Sequence, residues 1–316
     1  MKFTTPIQLQ EYPKKLDYQS RMFSMGSCFA EHLGQKFNYF QFAHLTNSFG
    51  IIFNPVSLER IISRVVEHRK FTEDDLFFYN EGWHCFEVHS ECSHFEKEEM
   101  LFYLNQQLEQ AHYFLSKADF FILTLGTAWV YRHLESNEIV ANCHKVPAAQ
   151  FQKELLEVEA IEASLKDLMR KVADINPKLQ FIFTISPVRH LKDGFVENQR
   201  SKSHLISALH SSISHLPSSH YFPSYEIVMD ELRDYRFFEE DMLHPNAIAV
   251  DYIWEKFSES VINPSVYPLM KEVESIQKSL YHRPFNPNSE AHLQFKQQLT
   301  LRIEKLKARI PNLTFL

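Results

Sequence analysis

Residues 26–28 read Gly-Ser-Cys, at the end of a short apolar run and just before a helical pattern. A serine at a strand-to-helix turn presents its hydroxyl at the C-terminal edge of a sheet. It also lies at a helix N-terminus, where free backbone N–H groups can face an oxyanion. A serine hydroxyl is a weak nucleophile and needs an adjacent base. Far downstream, Asp241-Met242-Leu243-His244-Pro245 offers an imidazole, with an acid three residues earlier to hold and orient it. Ser27, His244 and Asp241 are therefore the candidate catalytic triad of a serine hydrolase. The same residue types also cap helices. Ser27 is suited to cap a helix beginning at Cys28, and Asp241 one beginning near Pro245. Cys28 is a rival nucleophile, but one expected to point into the first helical turn as a packing residue.

The surrounding pattern supplies the elements that must position these groups. Met22–Gly26 reads as a strand and Phe29–Tyr39 as a helix, with Phe29, Leu33 and Phe37 on one face. Asn54-Pro55 opens a helix to about His68. Residues 71–96 suggest an inserted hairpin, turned at Asn80–Gly82. Helix Lys97–Ser116 leads to Asp119–Leu125, the clearest buried strand. Trp129–His133 and Glu138–Ala141 suggest a second hairpin. Helix Val158–Ile175, strand Leu179–Ile185, helix Glu197–Leu216, an extended run Tyr221–Met229 and a helix near Ala247–Ser258 complete the pattern. Strands alternating with helices predict an α/β fold with a parallel, doubly wound sheet covered on both faces. Beyond Asn263-Pro264 two polar amphipathic helices follow. They divide the chain into a domain over 1–262 and a helical extension over 263–316, which packs on the domain or mediates a homodimer. Only six glycines occur, and Gly26, Gly50 and Gly126 each follow an apolar or β-branched run, where a backbone turns sharply or approaches a ligand.

Gly26-Ser27-Cys28-Phe29-Ala30 resembles the signature of the GSCFA family. Further blocks resemble family motifs in family order: Phe49-Gly50-Ile51 with Asn54-Pro55, Leu123–Trp129, Asn142–Lys145, Ser186–His190, Tyr221–Tyr225 with Glu231–Phe237, and Asp241–Pro245. The resemblance covers about residues 20–260. The family is similar to the SGNH (GDSL-like) hydrolases, which implies a flavodoxin-like three-layer α/β/α sandwich and ester hydrolysis or acyl transfer. It also implies that the N–H groups of Ser27 and Gly50 form the oxyanion hole. SGNH enzymes carry a third donor, an Asn two residues after a strand-end glycine, but Gly126 is followed here by Thr127 and Ala128. Thr127, Asn47 and Asn142 are candidate substitutes. Loss of one such donor typically costs ~10²–10³ in rate.

Asn142-Cys143-His144-Lys145 and Ser186-Pro187-Val188-Arg189-His190 follow predicted strand ends. Asn47, Asn142, His144, Lys145, Arg189 and His190 are thus candidate substrate-binding residues. Arg189 and Lys145 suit a carboxylate, phosphate or sulfate; Arg189 is equally placed to pair with Asp193, Asp230 or Asp234. His84, Cys85, His89, Cys92 and His94 crowd one hairpin, but their spacing fits no standard zinc pattern, so no metal and no cofactor is expected.

Composition narrows the partners. With 316 residues, 44% of them hydrophobic, the chain builds a sizeable core. Its formal net charge of −7 gives no footprint for nucleic acid. No apolar stretch reaches membrane-spanning length, and the N-terminus lacks the apolar core of a signal peptide. Four cysteines without a CxxC pair suggest a reduced, cytoplasmic setting. The expected function is an esterase acting on a small-molecule or carbohydrate acyl ester. An O-acyltransferase on the same triad and a non-catalytic ligand-binding protein are the alternatives.

Overall fold

The structure, a computed structural model, describes residues 4–214, 216–310 and 313–315. Five parallel strands form its central sheet: β1 (Arg21–Gly26), β2 (Ala43–Thr46), β5 (Phe120–Leu125), β9 (Gln180–Ile185) and β10 (Ser219–Phe222), in the order β10-β9-β5-β1-β2. The apolar runs of β1, β5 and β9 account for their central places, because a strand covered on both faces needs apolar side chains at nearly every position. The strand order reverses between β1 and β5. In an open α/β sheet that switch point leaves a crevice at the strands' carboxyl ends, and Gly26 pairs there with Thr124.

Alternate residues of each strand serve opposite layers. Phe23, Met25, Phe121, Leu123, Phe181 and Phe183 pack with α2 (Pro55–Val66), α3 (Lys97–Leu115), α4 (Val158–Ile175) and α5 (Phe195–Ile213). Met22, Phe120, Ile122, Ile182 and Phe222 pack on the other side. Their partners are α1 (Cys28–Tyr39), α7 (Ala247–Val261) and the extension α8 (Tyr267–Leu280) and α9 (Glu290–Arg309). This is the expected three-layer α/β/α sandwich. The apolar residues of the extension, including Met270, Val273, Ile276, Leu299 and Leu306, join the same cluster as Phe37 and Phe257 of α1 and α7.

Two small antiparallel sheets interrupt the pattern. β3 (Phe77–Tyr79) and β4 (Gly82–His84) form the expected first hairpin. The second is larger than expected, since β6 (Trp129–His133) pairs with β7 (Glu138–Val140) and also with β8 (Phe151–Leu155). The expected extended run Tyr221–Met229 is corrected. Only Ser219–Phe222 is strand, and the chain then coils through the short turn α6 (Ser224–Glu226) and a π-helical turn, Ile227–Leu232. Pro223, lacking an N–H, ends the ladder, while Ser224 Oγ donates to the Ile185 carbonyl at 2.7 Å and pins the start of the coil.

Candidate active site

Ser27 directly follows Gly26, the last residue of β1, at the switch point and is the N-cap of α1. Two strand-end contacts fix the turn: Gly26 N–H donates to Asn47 Oδ1 at 2.9 Å, and Ser27 N–H donates to the Thr124 carbonyl at 3.0 Å. Gly26 has φ +146°, and a Cβ there would sit 2.2 Å from the Thr124 carbonyl oxygen. Only glycine fits both demands. The segment after β2 then crosses the sheet edge as a strap. Asn47 N–H bonds the Ser24 carbonyl, Ile52 N–H the Gly26 carbonyl, and Gly126 N–H the Phe53 carbonyl. Ser27 is only 1% exposed beneath this cover.

The capping role expected of Ser27 is present, because its Oγ accepts from Phe29 N–H at 3.3 Å. Cys28 stands beside it as a thiol: burial pushes its pKa up, against the lowering effect of Lys202. A protonated thiol is a poor nucleophile, which leaves Ser27 as the candidate.

Asp241 and His244 form a pair at the surface. His244 Nδ1 and Asp241 Oδ2 are 2.6 Å apart, while Asp241 Oδ1 accepts the N–H groups of Leu243 and His244 at 2.8 and 3.0 Å. The His244 backbone and ring hydrogen bonds, followed by the Leu243 N–H, hold the Asp241 carboxyl down at about 2. Asp241 closes this turn and is not the cap of α7; that role belongs to Asn246, whose side chain accepts from Ala249 N–H. With Nδ1 committed to Asp241, the base available to a substrate is His244 Nε2. The loop is anchored by Arg189 N–H to the Leu243 carbonyl and Glu239 N–H to the His244 carbonyl. Ser27 Oγ and His244 share no hydrogen bond in this structure.

The three assigned oxyanion donors are all engaged internally. Ser27 N–H bonds Thr124, Gly50 N–H donates to the Asn47 carbonyl at 2.8 Å, and Thr127 Oγ1 meets Ser201 Oγ and Trp129 N–H. Asn47 is likewise occupied, between Gly26 N–H and Glu31. Cys28 N–H, at the first position of α1, donates to no carbonyl and to no other residue's side chain among the described residues, and only its own sulfur lies beside it.

Residues 142–145 are a tight turn. His144 and Lys145 both have positive φ, and Asn142 Oδ1 accepts from His144 N–H. His144 is buried against Phe77, Phe86 and the Cys85 carbonyl, and burial pushes its ring down to about 4. The structure thus gives Asn142 and His144 internal contacts in the hairpin layer. His190 does face the strand ends. A Cβ on Gly126 would lie 3.4 Å from its Nε2, and burial, with Lys202 and His244 acting the same way, lowers its pKa to about 3. Arg189 pairs with none of the acids expected of it: Asp193 is taken by Lys153, Asp234 by Arg236, and Asp230 forms no ion pair among the described residues.

Sequence reading missed Lys202. It is fully buried, and its Nζ donates to the carbonyls of Gly126 and Ser186 at 2.7 Å each, joining the ends of β5 and β9. Burial pushes its pKa down to about 7. Asn198 and Ser201, on the same face of α5, bond His190 N–H and Ala128 N–H. The signal was available: Lys202 falls in phase with Leu205 and Leu209 on the buried stripe. Among the described residues no three His, Cys, Asp or Glu side chains gather in a way that could hold a metal, and no helix is long and apolar enough to cross a membrane.

A model of the family described as GSCFA matches residues 21–257. The chain belongs to the GSCFA family. A second model, the GSCFA domain protein C-terminal domain, matches residues 273–316. No curated protein matches this GSCFA chain in sequence. Among solved structures it is similar to a carbohydrate esterase family 3 protein from Talaromyces cellulolyticus, at 8% identity and TM-score 0.37, over 80% of this chain and 99% of that one. It is also similar to the acetyl xylan esterase Est2A from Butyrivibrio proteoclasticus, at 10% identity and TM-score 0.41, over 77% and 66%.

Proposed function

We propose that this GSCFA protein is a serine esterase acting on a small-molecule or carbohydrate acyl ester. The observation that carries the reading is the Asp241–His244 pair, on a loop anchored at the same sheet edge that holds Ser27 at the switch point. His244 Nε2 takes the Ser27 proton as Oγ attacks the acyl carbon. The same proton passes to the departing alcohol when the ester C–O bond breaks, leaving an acyl-enzyme. Water, deprotonated by His244, then attacks the acyl carbon, and Ser27 regains a proton as the carboxylic acid leaves. Asp241 remains a carboxylate and stabilises the imidazolium. The half-exposed Asp241–His244 turn supplies the movement that closes the Ser27–His244 contact, as catalytic hydrogen bonds often tighten only with substrate bound. Negative charge on the substrate oxygen falls to Cys28 N–H and the positive end of α1.

Enclosure of Ser27 favours acyl transfer to a hydroxyl acceptor as a second reading, because transfer requires that water be kept out. The open Ser27–His244 contact favours a ligand-binding module as a third. Turnover of 4-nitrophenyl acetate by purified protein tests the hydrolase reading. Ser27→Ala and His244→Ala should each lower it by at least about 10³-fold, with circular dichroism unchanged. Full activity in either folded variant contradicts the mechanism. Acyl products recovered on added glycerol rather than as free acid would move the assignment to transfer.

A further inference from the structure

Arg189, which is partly buried, stands apart from the buried Arg64 of α2. Arg64 is held by Asp75 and Glu87, with side-chain bonds of 2.6 to 2.8 Å, so its charge is neutralised within the fold. Arg189 forms no ion pair among the described residues. Its guanidinium lies over the rings of Phe238, Tyr235 and Phe195 at 4.3, 5.1 and 6.0 Å from their centroids. Its Nη1 is buried with no hydrogen-bond partner, and Nη2 reaches only the Met229 sulfur at 3.7 Å. Aromatic faces stabilise the cation without using its in-plane N–H groups. A buried donor left unmade costs free energy that an incoming acceptor recovers. The exposed side chains of Phe195 and Tyr235 flank it, and its backbone N–H holds the Leu243 carbonyl, one residue before His244.

We propose that Arg189 is an anion-binding residue beside His244 and that the acyl ester this protein takes carries a carboxylate, phosphate or sulfate group. That the anion is part of an acyl ester rests on the esterase reading; the anion site itself does not. A guanidinium fork binds such oxyanions through paired charge-assisted hydrogen bonds, and the flanking rings leave room for a group with an apolar face.

The test reads binding without turnover. Ser27→Ala protein is titrated calorimetrically with succinate, inorganic phosphate, sulfate and neutral succinamide. At least one anion should saturate, its affinity should fall at least about tenfold in Ser27→Ala/Arg189→Met and less in Ser27→Ala/Arg189→Lys, and succinamide should not bind. The anion that saturates identifies the class. No saturable anion, or equal affinity in the Arg189→Met background, overturns the proposal. Should Arg189→Met not fold, wild-type protein answers through phenylglyoxal modification mapped by peptide mass. The bound anion should protect Arg189, and modification at an unchanged rate overturns the proposal. Anion binding with an inert Ser27 would refute the esterase reading alone.

Discussion

Asp241, held at about 2, and His190, pushed down to about 3, keep one charge state across the range in which a folded protein is assayed. The carboxylate stays ionised and His190 stays neutral. Neither can give a limb to the esterase rate in that range. The pH–rate profile of His190→Gln should therefore keep the wild-type shape; an acid limb lost in that variant would contradict this account. The same residues show why the site was only partly legible in sequence. Ser27, Asp241 and His244 carry type and spacing, and those are read directly. What else a backbone N–H bonds is decided by register between strands far apart in the chain, as with Ser27 and Thr124, and no local pattern records it.

Each element at the sheet edge is held by a particular contact, and Gly26 and Gly194 separate the causes. Both have positive φ, +146° and +90°, but a Cβ on Gly26 meets the Thr124 backbone whereas nothing lies within 4 Å of one on Gly194. Gly194→Ala should cost only the backbone strain, about 1 kcal/mol. Gly26→Ala adds a steric conflict between β1 and β5 and should cost at least about 3 kcal/mol. Urea unfolding of the two variants checks this, and equal losses would mean that the close approach at Gly26 is not maintained. Central strands were legible because β5 and β9 are continuous apolar runs. β8 was not, since Phe151–Leu155 mixes Gln, Lys and Glu into an edge position that pairs, among the described residues, with β6 alone. Asn198, Ser201 and Lys202 of α5 read as surface residues by type, and only their phase with Leu205 and Leu209 marks them as buried.

Across the whole molecule, the second layer is completed by the extension, which buries its apolar residues with those of α1 and α7. The unusual aromatic content goes into both layers, and with it several imidazoles enter the interior. Burial pushes His44 and His144 down to about 4 and is the largest cause at His190, down to about 3. All three folded values lie below the value of about 6.5 for an unfolded histidine. Below that point the unfolded chain binds protons that the fold refuses, so stability falls as pH falls through 6.5 towards 4. Each histidine contributes up to about 1.4 kcal/mol per pH unit in that window. Chemical denaturation between pH 7.5 and 5, roughly spanning the onset of that window, should show a steep loss; a flat profile would place these rings in water. Whether Ser27 is an activated nucleophile is read by labelling with a fluorophosphonate probe, with intact-mass analysis and peptide mapping, on wild type and His244→Ala. The account predicts one adduct on Ser27 that His244→Ala abolishes. No adduct in folded protein with an accessible site, or an adduct on Cys28, would contradict it.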